Sequence, residues 1–187
     1  VVASRKDAML RKRQIFYFTE NEEEQPMVYP GRIVEARVIA VAPKAVRLEV
    51  FGVECSVRAR DMAWEWMPDA TEKFQVGDLV LVCVNKIEMP DAESMTVAVD
   101  AKGATENTNK DNLKKCHRQG KYSGIVVDVY KGTYFIRLDL GVNAIAHECN
   151  MASLPGKRDK IGFVVTRINE TSEVAEGIIT RLIKKYS

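Results

Sequence analysis

The sequence has 187 residues, with 46% hydrophobic and 29% charged side chains and a formal net charge of +2. That balance excludes collagen-like and disordered chains and allows one large domain or two small ones. No apolar run reaches the ~18 residues of a membrane helix. No signal peptide opens the chain, so a soluble cytoplasmic protein with no membrane partner is expected. Charge is uneven: from His117 onward there are eleven Lys or Arg against seven Asp or Glu, but nine against twelve between Val28 and Lys102. The second half is the better candidate for a polyanion. Cys55, Cys83, Cys116 and Cys149 make no CxxC pair and read as free thiols. Cys116, His117, His147 and Cys149 have unusual spacing for structural zinc, so no metal is expected.

In chain order, Val1-Val2-Ala3-Ser4-Arg5-Lys6 reads as the end of a strand and a basic turn. Residues 8–16 suit a short connecting helix, with Ser4 as a candidate cap and Asp7 completing an imperfect capping box. An acidic stretch follows at Glu20, Glu22, Glu23 and Glu24. Strands are then expected at 33–41, 46–50, 53–60, 79–87 and 95–99, each marked by alternation or bounded by turn residues. The less regular stretch 61–71 holds Trp64, Trp66 and Pro68. A Thr-, Asn- and Lys-rich linker runs over 104–114. A second block repeats the rhythm, with strands at 119–129, 134–140, 142–147, 161–168 and 174–183. Five short strands with a long excursion between the third and fourth match the OB barrel. The expected fold class is all-β: two consecutive five-stranded OB-fold β-barrels with a short N-terminal helix.

Several motifs give both blocks a family likeness. Gly124-Ile125-Val126, Ile136-Arg137-Leu138 and Gly141-Val142-Asn143-Ala144-Ile145-Ala146-His147 lie in order in the second block. Phe74-Gln75-Val76-Gly77-Asp78-Leu79-Val80 lies in the first. Together they resemble the ribosomal S-one RNA-binding repeat, also carried by polynucleotide phosphorylase and ribonuclease E, and the second block is the clearer match. The resemblance implies 1–18 as the end of an upstream similar domain plus a connecting helix, and 19–29 as an acidic linker. It further implies OB-type domains at 30–102 and 118–187, joined by a linker at 103–117. It also implies a bacterial origin.

An OB barrel offers the outer face of its second and third strands to a flexible nucleic-acid strand, with bases on aromatic rings and phosphates near cations. Alternation sends Ile136 and Leu138 inward and Phe135 and Arg137 outward. The resemblance then makes Phe135 the stacking aromatic, Arg137 a phosphate or cation–π contact and His147 a second flat ring. Lys131 in the turn would reach the backbone, with Tyr130 and Tyr134 flanking. Tyr134 shares parity with Ile136, and one residue of register decides between it and Phe135. Lys121 and Asn169 complete the set, although Glu170 and Glu173 lie beside Asn169. In the first block Ala45 is taken as the counterpart of Phe135 and Arg58 of His147, leaving Arg47, Arg58 and Lys44 to follow phosphates.

These residues point to binding of single-stranded RNA with little sequence preference, with single-stranded DNA as a competitor. The alternative is a scaffold whose degenerate barrels dock the ribosome or RNA-processing proteins. An enzyme is not expected, and no cofactor: there is no P-loop, H-E-x-x-H or nucleophile elbow.

Overall fold

The computed structural model describes residues 4–20, 24–91, 93–147, 149 and 151–186. The expected strand end at Val1-Val2-Ala3 lies outside these, as do Glu22, Glu23 and Glu148. The chain is mostly β and divides into two compact units. One comprises residues 1–63 and 69–106, the other residues 64–68 and 107–187. None of the described helices is long and apolar enough to cross a membrane.

The first unit opens with helix α1 (Arg5–Arg13). Ser4 sits at its N-cap but makes no side-chain capping bond, contrary to the capping box expected from sequence. A π turn, Gln14–Phe18, continues the helix and buries Tyr17. Five strands follow: β1 (Ile33–Ala42), β2 (Ala45–Val50), β3 (Val53–Arg58), β4 (Leu79–Glu88) and β5 (Thr96–Asp100). They form a barrel-like sheet in the order β3-β2-β1-β4-β5. Alternation places Val46, Leu48 and Val50 of β2 in the core with Val34, Ala36 and Val38 of β1. β3 ends two residues earlier than its hydrophobicity suggests, because Ala59–Asp61 coil into a 3-10 turn.

The second unit repeats this order with β6 (Lys121–Tyr130), β7 (Thr133–Leu138), β8 (Asn143–Ala146), β9 (Lys160–Asn169) and β10 (Val174–Lys184). Here the barrel is closed, because β10 pairs in parallel with β8 through Ala175–Ala144 and Glu176–Ile145. Tyr134, Ile136 and Leu138 face a core that includes Phe163, Ile161 and Ile179. The stretch read from sequence as linker holds a helix, α2 (Thr108–Leu113), with Asn109 and Leu113 buried. Its six residues are too few for apolar periodicity to register. Asn107 caps it by accepting from the Lys110 amide, a local interaction typical of Asn.

The two units agree in detail. β1 and β6 each carry a bulge against their hairpin partner, at Val38/Ala40 and Val126/Asp128. Before β4, the amides of Gly77 and Val38 exchange bonds with the carbonyls of Val38 and Asp78. Arg158, Val126 and Asp159 do the same before β9. Arg158 therefore adopts the left-handed conformation (φ 73°) of its counterpart Gly77 (φ 101°). The Asp159 carboxylate, shut off from solvent, accepts from the amides of Gly156 at 2.8 Å and Tyr186 at 2.7 Å.

The β2–β3 hairpin turns through Phe51 (φ 45°) and Gly52 (φ 92°), a two-residue loop with both central residues left-handed. Phe51 is held by stacking on Phe16, with ring centroids 4.0 Å apart. A Cβ at Gly52 would strike the Met9 carbonyl oxygen of α1. At Gly141, in the matching turn of the second unit (φ 81°), a Cβ would lie 2.8 Å from Nδ2 of Asn112 in α2. Each unit thus seats a helix on the same glycine turn.

Two predictions follow from this packing. Gly31 is also left-handed (φ 92°) but has open space around it. Gly31→Ala should therefore cost only the conformational penalty of about 1 kcal/mol, whereas Gly52→Ala should cost at least about 2 kcal/mol, because α1 must also move. Chemical denaturation compares the two, and equal losses would contradict the close packing. The second concerns Asp159, whose bonds from the Gly156 and then the Tyr186 amide hold its carboxyl below the usual Asp range despite its burial. A lowered folded-state pKa stabilises the protein above the unfolded value of about 3.9 and is lost as pH falls through the folded value. The stability gap between wild type and Asp159→Asn should therefore narrow below about pH 4, and a gap independent of pH would exclude this role.

Candidate nucleic-acid interface

On the second unit, the outer face of β7 and β8 is set by the pairs Thr133–His147, Phe135–Ile145 and Arg137–Asn143. Tyr134 lies on the opposite side, 6% exposed within the core, so it offers no ring to a ligand and leaves the sequence-derived set. Phe135 and Arg137 are outward but only half-exposed. The cause is residues 64–68, which belong to this unit. Trp66 meets Phe135 edge-on, with ring centroids 5.2 Å apart. The Trp64 carbonyl accepts from Asn143 Nδ2 at 2.8 Å.

Arg137 is held from the same end of the face. Its Nη1 donates to Asn143 Oδ1 at 2.8 Å and to Asn109 Oδ1 at 3.4 Å. Asn109 also accepts from the Asn143 amide at 2.7 Å and donates to the Glu173 carbonyl. Burial pushes the Arg137 guanidinium below its usual range, and Glu65 partly offsets this. The arginine assigned to phosphate contact from sequence is therefore committed to joining α2, β7 and β8. Asn109 and Asn143 were not singled out in the sequence: one lies in an apparent linker, the other inside the glycine motif.

The other end of the face is open. Tyr130 is 61% exposed and pairs with Thr133 across the Lys131-Gly132 turn. Lys131 holds its ammonium 5.4 Å from the Tyr130 ring centre. The Thr133 hydroxyl lies 3.4 Å from Nδ1 of the exposed His147. Tyr130, Lys131, Thr133 and His147 thus stand together as two rings, a hydroxyl and a cation. Asn169 is elsewhere and engaged in the β9–β10 turn, accepting from the Ser172 amide and donating to Glu176. Lys121 projects from a different face, that of β6, β9 and β10.

Hairpin register corrects one assignment in the first unit. The β1–β2 and β6–β7 turns both span two residues, so Ala45 corresponds to Thr133 and Arg47 to Phe135. Ala45 faces Arg58 across β3 as Thr133 faces His147. The cations of this face are matched by acids. Arg47 lies 2.8 Å from Glu54, and Arg58 lies 2.8 Å from Asp61. Lys44 is exposed in the turn, where its carbonyl accepts from the Ala59 amide. Helix α1 covers the far end, with Arg5 at 3.2 Å from Glu54 and Lys12 at 3.1 Å from Glu49. Glu49 and Glu54 occupy the positions of Arg137 and Asn143, so both units close the same end of the face by different chemistry.

Several solved structures are similar to parts of this chain. A chain in the a/eIF2alpha–aDim2p–rRNA complex of Pyrococcus horikoshii is 18% identical over 47% of this chain and 52% of its own, with a TM-score of 0.37. A multidomain protein with nucleic acid binding domains from Streptococcus pneumoniae is 11% identical over 87% and 58%, with a TM-score of 0.31. RNase R of Mycoplasma genitalium is 14% identical over 81% and 22%, with a TM-score of 0.30. The aligned part is thus only between about a fifth and three fifths of those solved chains. No curated protein sequence matches. The family match falls on the first unit, although the second carries more of the motifs read from sequence. Residues 28–95 match the family model of the S1 RNA binding domain.

Proposed function

We propose that the protein binds single-stranded RNA through its barrel surfaces, with the grip on bases supplied by the open end of the β7–β8 face. The observation that carries this reading is the group formed by exposed Tyr130, Lys131 and His147 with half-buried Thr133, linked by the contacts described above. Two flat rings can stack on bases of any identity, and a lysine beside them can meet phosphate. A hydroxyl next to His147 can hydrogen-bond a ribose 2′-OH, the group that separates RNA from DNA. The S1 match in residues 28–95 supports a role of the same kind for the first unit. Its self-paired arginines argue for weaker contacts there. Low sequence preference follows from stacking and charge, and no covalent step is part of this reading.

A docking role for the first unit is the second reading. It is favoured by the outward Ile33, Leu79 and Leu81 on β1 and β4, which are 50%, 54% and 55% exposed.

Titration of a labelled twelve-nucleotide single-stranded RNA with the 187-residue chain tests the proposal. Tyr130→Ala combined with His147→Ala should weaken binding by roughly 30-fold or more, at about 1–3 kcal/mol per stacked base, while leaving the unfolding transition in place. A DNA strand of the same sequence should compete less well. Binding indifferent to the double substitution would place the RNA elsewhere. No binding by the wild type would favour the docking reading.

A further inference from the structure

The outer face formed by β6, β9 and β10 is distinct from the β7–β8 face, and strand pairing defines its rows. Ile125, Lys160 and Lys184 form one row, and Ser123, Gly162 and Arg181 form the next. Lys121 begins a third row with Val164 and Ile178. Their sequence neighbours Ile161, Phe163 and Ile179 point into the core.

Four cations therefore share one surface. Gly162 leaves it flat: a Cβ there would lie 3.0 Å from Cγ and 3.3 Å from Nε of Arg181, so the arginine lies along the strand. Lys184 holds its ammonium 4.5 Å from the Tyr186 ring centre. Asp139 is the acid of this face, 3.1 Å from Lys160 and bonded by the Ser123 hydroxyl. Among the described residues no carboxylate pairs with Lys121, Arg181 or Lys184.

The first unit shows that the fold does not require a cation at the positions of Lys121 and Lys160, although Arg37 stands there at the position of Ile125. By the same pairing, Lys121 corresponds to Ile33, Lys160 to Leu79 and Gly162 to Leu81. One copy of the fold carries apolar residues at these positions and the other carries cations and a glycine. Like charges on adjacent strands repel, so the cluster is a cost to the isolated barrel and a gain only against an anion.

We infer that the β6–β9–β10 face is a second RNA contact, one that holds the phosphate backbone and is separate from the stacking group on β7–β8. This rests on the RNA-binding reading above. With few rings and several unpaired cations, the surface reads no bases; it adds counterion release and hence salt dependence. Lys160 stays with Asp139, while Lys121, Arg181 and Lys184 take the phosphates.

The test is the salt dependence of binding of a single-stranded RNA of about twenty nucleotides by the 187-residue chain. For single strands each phosphate contact contributes a log–log slope of about −0.7. The variant Lys121→Gln, Arg181→Gln, Lys184→Gln should therefore have a slope shallower by about 2. Between 50 and 200 mM salt it should lose on the order of tenfold less affinity than the wild type. Tyr130→Ala with His147→Ala should instead lower affinity at every salt concentration and leave the slope unchanged. Should the triple variant fail to fold, Arg181→Gln and Lys184→Gln singly should each flatten the slope by about 0.7. Wild-type binding with a slope these substitutions do not alter would overturn the second contact and leave RNA binding intact. No wild-type binding would overturn both.

Discussion

Hairpin register is the constraint on which the rest of this molecule depends. In a strand of period two, a slip of one residue exchanges the core set for the outward set. The Lys131-Gly132 turn, left-handed at both residues (φ 48° and 80°), fixes the β6–β7 pairing. The bulge at Val126/Asp128 then re-aims the remainder of β6. Tyr134, Ile136 and Leu138 go inward as a consequence, and Thr133, Phe135 and Arg137 go outward. The matching bulge in β1 and the matching pairing of β2 put Arg47, not Ala45, at the position of Phe135.

A second constraint is the closure of one end of the outer β2–β3 and β7–β8 face in each unit. In the first, Tyr17 donates to the Val50 carbonyl and Phe16 stacks on Phe51, which seats α1 over the β2–β3 turn. In the second, Asn109 of α2 and residues 64–68 share the task, through Asn143, Arg137 and Phe135. The surface ion pairs of α1 contribute little stability, at about 1 kcal/mol or less each. The buried aromatic and backbone contacts carry more of the docking. The indole Nε1–H of Trp66 is buried, and its ring packs edge-on against Phe135. The cover over Phe135 is thus held by ring packing and the Trp64–Asn143 bond.

Most of the fold was legible in the sequence because it rests on short-range signals. Alternation in Val46–Val50 and Tyr134–Leu138 gave the inward sets, and Gly and Pro punctuation gave the turns. Helix α2 was not legible, since six residues with one apolar side chain, Leu113, carry no apolar period, and Asn109 is buried for its hydrogen bonds rather than its hydrophobicity. The candidate site was legible by face but not by occupancy. Alternation shows that Phe135 and Arg137 point outward. It cannot show that Trp66 and Asn109, distant in sequence, come to rest on them. The sequence motifs reach Tyr130, Lys131 and His147 at the exposed end, but Thr133 carries no motif of its own. Two copies of one fold in a single chain also expose what a single copy hides: the basic face of β6, β9 and β10 stands out against Ile33, Leu79 and Leu81.

The central claim is that RNA meets the second barrel on its outward residues, at the open end of β7–β8 and along β6–β9–β10. Amide and side-chain NMR shifts of the isotopically labelled chain, followed during titration with single-stranded RNA, test it most directly. The account predicts saturable shifts at Tyr130, Lys131, Thr133 and His147 and at Lys121, Arg181 and Lys184, with Ile33, Leu79 and Leu81 unmoved. Shifts confined to the first unit, or absent from both of these surfaces, would contradict it.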